Sequence, residues 1–128
     1  MSDGKTMLCQ SAAIVRWLSK THKGLKGETL YPSNKDPAMM HHIDEIIEMN
    51  AENISYHSLK GLNDDKVEGY LAFLPKQLQR LTDIHNQVAP GQTYLVGNSI
   101  TAADIIMFSS FWKLGFNPSA GQNYAGAV

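Results

Sequence analysis

Gln10-Ser11 stands directly before an apolar-periodic run, and the pair could hold an anion. A serine hydroxyl and the unpaired amides of a helix's first turn are donors, and the helix dipole favours a negative group there. Serine is also a common helix cap, and spacing alone favours that role for Ser11. Glu52 shares one helical face with Asp44 and Glu48, which reads as a solvated acidic face. His41 and His42 are adjacent. Neighbours on a helix point about 100° apart, so the pair is expected not to chelate one ion, and no metal is expected. His57 and His85 lack a ligand-spaced partner. Cys9 is the sole cysteine, and with no base residue nearby it reads as a buried structural thiol. The same count excludes an internal disulfide, which fits a reducing, cytoplasmic setting.

These residues need elements to position them. Lys5–Cys9 reads as a short strand, followed by a helix from Ser11 with Ile14, Trp17 and Leu18 inward and Arg16, Ser19 and Lys20 outward. A polar, Gly-punctuated loop over Thr21–Glu28 is closed by Leu30-Tyr31-Pro32. Asp36-Pro37 starts the next helix, Asp as cap and Pro at the first helical position. Its buried stripe is Met40, Ile43, Ile47, Asn50 and Ile54, and the helix is expected to run to about Leu59, before Gly61. Asn63-Asp64-Asp65 opens a further helix with Val67, Tyr70, Leu71, Leu74, Leu78 and Leu81 inward and a kink at Pro75. After a turn over Val88–Gly91, Tyr94-Leu95-Val96 leads into the last helix. There Thr101 and Asp104 form a capping box, with Ile100 and Ile105 as a hydrophobic staple. That assigns Asp104 to folding. The helix after it is apolar on nearly every side, with Phe108, Phe111 and Trp112 read as core. Such a helix is expected to be buried at the centre of the fold. Gly115–Val128 reads as a tail.

The 128 residues carry a net charge of −1, with 43% hydrophobic content and a mean hydropathy of −0.25. That composition describes a globular, mostly α-helical domain with enough chain for a core. No basic stripe interleaved with aromatics points to nucleic acid. No apolar run is long enough to span a bilayer, and the first residues hold no apolar signal segment.

Three stretches resemble the cytosolic glutathione transferase family. Asp3-Gly4, then Leu8-Cys9-Gln10-Ser11-Ala12-Ala13-Ile14-Val15-Arg16-Trp17-Leu18, is similar to the end of its thioredoxin-like domain. Leu95-Val96-Gly97-Asn98-Ser99-Ile100-Thr101-Ala102-Ala103-Asp104-Ile105 resembles the capping-box segment of its helical domain. Asn63-Asp64-Asp65 with Leu74-Pro75 and Leu78 is similar to a helix of the mu, pi and sigma-like classes. The resemblance covers about Asp3 to Leu114. It implies a helical bundle over residues 36–114, preceded by a remnant strand and helix of the thioredoxin-like domain over residues 1–22, with a tail over 115–128. It also implies that Gln10 and Ser11 bind the γ-glutamyl carboxylate of glutathione. Glu52 falls where the family places an acidic residue that reaches the partner subunit's glutathione amine.

The family activates the glutathione thiol with a Tyr, Ser or Cys early in its thioredoxin-like domain, and no position here matches it. The resemblance therefore implies a transferase-family protein truncated at both ends, acting as a non-catalytic binding or structural subunit. An active transferase whose N-terminal half lies outside this chain is the first alternative. A docking module of a translation-factor or synthetase complex is the second. The unaccompanied strand and the apolar residues Ile14, Trp17 and Leu18 imply that residues 3–18 are covered by another chain, in a homodimer or a larger assembly.

Overall fold

A computed structural model describes residues 4, 7, 9–32, 36–54 and 64–112. Four α-helices follow in order: α1 (Ser11–Thr21), α2 (Pro37–Met49), α3 (Asp64–Val88) and α4 (Ala102–Phe111). A π-helical turn, Asn50–Ile54, continues directly from α2. No strand forms among the described residues, and Lys23 and Thr29 pair as an isolated antiparallel bridge in the loop after α1. The expected strand Lys5–Cys9 falls mostly outside the described residues, as do Gly61 and the tail from residue 115.

Helix α2 is the axis of the bundle, in contact with α3, α4 and the π turn. Its start is set by Asp36, whose carboxylate accepts from the amides of Ala38 (2.9 Å) and Met39 (3.2 Å), while Pro37 has no amide to satisfy. Ile43, Ile47, Asn50 and Ile54 are buried as their spacing predicts, and Met40 is half-buried. Ile46 and Met49 are buried too. The inward arc is therefore wider than a single stripe, because α2 meets neighbours on more than one side. Helix α3 runs through Pro75 without a break. Leu81 and Ile84 reach the core, with Leu74 and Leu78 half-buried. Val67, Tyr70 and Leu71 lie outside the described side chains.

Helix α4 lies against α2, the π turn and α1. Ala102 and Ala103 are fully buried, and their small size lets α4 approach its neighbours closely. Ile106, Met107 and Ser110 complete that face. The expectation of a helix buried on all sides is corrected: Ile105, Phe108 and Trp112 are exposed, Phe108 by 65%. These three residues share one stripe of the helix, and the neighbours occupy only the opposite side. Phe108 and Trp112 accordingly form a surface ring pair, with centroids 6.0 Å apart, and Phe111 is half-buried against the core.

Helix α1 also faces differently from expectation. Ala12 and Val15 pack on the core cluster, Ser19 is buried and Arg16 is half-buried. Ile14, Trp17 and Leu18 remain half-buried on other sides. The face of α1 that carries Ala12, Val15 and Ser19 lies toward the bundle. The bulkier face is left with partial cover.

Candidate functional site

Three helix starts fall among the described residues, and two of them carry a side-chain cap. At α4 the capping box forms. Asp104 Oδ2 accepts from the Thr101 amide (2.8 Å) and the Thr101 hydroxyl (2.9 Å), and Oδ1 accepts from the Leu95 amide (2.8 Å). The Ala102 amide donates to the Leu30 carbonyl at 2.8 Å, and Thr101 is buried. At α2 the Asp36 carboxylate does the same work. Asp104 thus serves folding, as its spacing indicates.

Among the described residues the start of α1 is open. Gln10 occupies the cap position, and no side chain caps the helix. This corrects the reading of Ser11 as the cap: Ser11 is the first helical residue. The Gln10 carbonyl receives the first helical bond, from the Ile14 amide at 3.0 Å. The amides of Ser11, Ala12 and Ala13 precede that bond and have no intrahelical acceptor. Gln10 and Ser11 are both exposed. Gln10 sits at φ 71°, the one non-glycine positive φ among the described residues. A residue with a side chain is strained there by about 1–3 kcal/mol. The positive φ turns the chain sharply into the helix.

A polar clamp that the sequence reading missed holds α1 against α2. Arg16 Nε contacts Asp44 Oδ1 at 2.6 Å and its Nη2 contacts Glu48 Oε1 at 2.6 Å. The Tyr31 hydroxyl donates to Asp44 Oδ2 at 2.6 Å, and Lys20 Nζ lies 4.6 Å from the centre of the Tyr31 ring. Burial disfavours the charge on Asp44, but the hydrogen bonds from Arg16 and Tyr31 outweigh it and hold the carboxyl below its usual range. Burial and the same carboxylate push Tyr31 up to about 12. The signal was present in the sequence as a lone arginine on a helix and two carboxylates one turn apart. Nothing in the spacing showed that they face each other.

The pairings run antiparallel. Lys20 acts on Asp44, and Arg16 reaches Asp44 and Glu48. One more step in the same direction leads toward the start of α1 on one helix and toward Glu52 on the other. Glu52 is exposed in the π turn. The turn keeps Asn50 and Ile54 buried on either side of it and leaves the Asn50 Oδ1 atom buried without a hydrogen-bond partner. Extra residues of this kind within a helix often accompany functional sites. The acidic face is therefore divided: Asp44 and Glu48 are clamped, while Glu52 projects outward.

Other candidates separate. Cys9 is exposed, which corrects its reading as a buried thiol. His85 Nδ1 lies 3.4 Å from the Leu95 carbonyl, and His57 lies outside the described residues. The rings of His41 and His42 approach to 5.3 Å between centroids, so their adjacent positions do not keep them apart as expected. Gly97, in the segment leading to α4, has φ 74°, and a Cβ there would overlap the Met39 methyl group. That glycine sets how closely the segment lies on α2.

Residues 39–125 match the family model described as glutathione S-transferase, C-terminal domain. The chain belongs to that family. No curated protein and no solved structure matches it. No described helix is long and apolar enough to cross a membrane.

Proposed function

We propose that this chain is a glutathione-binding and subunit-forming portion of a mu/pi/sigma-like transferase protein, and that its own residues do not activate the thiol. The open start of α1 is the observation that carries this reading. Its unsatisfied amides and the Ser11 hydroxyl match what a γ-glutamyl carboxylate requires. Glu52, projecting from the π turn, offers a carboxylate to the amine of a glutathione held by a partner subunit. Conjugation needs a donor that stabilises the thiolate, and the resemblance assigns no residue of this sequence to that task. The half-buried Ile14, Trp17 and Leu18 support a partner chain over residues 3–18. A setting in the cytoplasm suits the single exposed thiol.

Titration calorimetry of the full chain with glutathione tests the binding. The expected result is weak saturable binding that is lost in Ser11→Ala and absent for cysteinylglycine, which lacks the γ-glutamyl group. Equal binding of both peptides would sink the assignment. Conjugation to an aromatic electrophile should proceed at the uncatalysed rate, and saturable turnover would instead favour an active transferase. The exposed Ile105, Phe108 and Trp112 favour a second reading, a docking module in a larger complex, and the intact mass of the natural assembly separates it from a two-subunit transferase.

A further inference from the structure

A cluster on α2, remote from the start of α1 in its chemistry, has no part in the reading above. His41, His42 and Glu45 each place one ligand atom within 4.8 Å of the other two. His42 Nδ1 and Glu45 Oε2 are 3.4 Å apart. That is long for a hydrogen bond, where about 2.9–3.0 Å is usual. It is the separation that two ligands adopt around a tetrahedral centre: bonds of about 2.0–2.2 Å place them about 3.3–3.6 Å apart. The other oxygen, Glu45 Oε1, accepts from Arg80 Nη2 at 3.1 Å. The carboxylate is thereby fixed from α3, while Oε2 still points at His42. Ligating carboxylates are commonly held by such a hydrogen bond from behind. Burial would raise the Glu45 carboxyl, but Arg80 and His42 outweigh it and keep it below its usual range. His41 is exposed, and its ring lies edgewise to that of His42, with centroids 5.3 Å apart.

We propose that His41, His42 and Glu45 form a three-ligand site for a zinc-class divalent cation, with water completing the coordination. Two imidazoles and one carboxylate, with no thiolate, suit zinc over calcium or magnesium, which prefer oxygen donors. The arginine on α3 couples the site to the packing of α2 on α3, so the bound cation stabilises the bundle by mass action.

The test is calorimetric titration of the chelator-treated full chain with zinc chloride, paired with a thermal melt. One equivalent should bind, and the melting temperature should rise with zinc. Affinity should fall at least about tenfold in His42→Ala and in Glu45→Gln, in line with the cost of disturbing a metal shell. It should be unchanged in Cys9→Ser and His22→Ala, which remove other exposed donors. Circular dichroism shows whether each variant keeps its helix. Should His42→Ala lose it, His41→Ala, altered at an exposed position, replaces it with the same expected loss. Magnesium chloride should give no comparable binding. The proposal is overturned by a chain that does not bind zinc, by affinity that survives in both Glu45→Gln and the histidine variant, or by affinity that disappears in Cys9→Ser.

Discussion

The starts of α1 and α4 face the same physical problem and resolve it in opposite ways. Each helix begins with amides that no helical carbonyl can reach. At α4 the protein supplies acceptors: Leu30 for the Ala102 amide, and Asp104 for those of Thr101 and, just upstream, Leu95. At α1 the cap position holds Gln10 in a strained conformation with no capping side chain. The closed start contributes to stability. The start of α1, with no capping side chain, forgoes that contribution.

The largest effect should follow from opening the closed start. Asp104→Ala leaves the Leu95 and Thr101 amides unpaired in partly buried surroundings, and should cost about 3 kcal/mol. A denaturant melt measures it, and a shift below about 0.5 kcal/mol would show that the box does not anchor α4. Asp36→Ala removes two bonds at an exposed cap, so about 1 kcal/mol is expected from the same melt. At α1 the sign should reverse. Gln10→Gly relieves the positive φ and should stabilise the chain by about 1 kcal/mol, offset in part by the freedom glycine gains when unfolded. Ser11→Ala should change stability by less than about 0.5 kcal/mol, since Ser11 caps nothing.

The clamp between α1 and α2 sharpens the comparison through pH. Tyr31 is raised to about 12, above its unfolded value of about 10. Its contribution is complete below about pH 10 and is lost as pH rises through 12. Asp44 is lowered, so its contribution is present above about pH 3.9 and is lost as pH falls through the depressed folded value. The phenolate absorbance of Tyr31 should titrate near 12 and move back toward 10 in Asp44→Asn. A midpoint unchanged by that substitution would mean that burial alone acts on Tyr31.

Much of this was legible in the residues. Asp36-Pro37, the stripe of α2 and the Thr101/Asp104 box are local rules, and local rules were enough to place them. The facing of α1 was not. Ile14, Trp17 and Leu18 form the more apolar side, yet the side toward the bundle carries Ala12, Val15 and Ser19, and the pattern of one helix does not say where its neighbours lie. Nor was the exposure of Ile105, Phe108 and Trp112: periodicity reports how apolar a helix is, not how many neighbours surround it. The π turn was hidden because Ile47, Asn50 and Ile54 are spaced as an α-helix would space them. Of the site residues, Gln10 and Ser11 came from motif and resemblance. The Arg16 clamp and the approach of His41 to His42 depend on facing and rotamers, which no spacing encodes.

Backbone amide shifts during a glutathione titration of the full chain test the account most directly, because they observe both helix starts at once. The amides of Ser11, Ala12 and Ala13 should move together and saturate, while those of Thr101, Ala102 and Asp104 stay still. Shifts confined to α4, or no saturable shift at α1, would contradict the claim that the open start is where this protein meets its ligand.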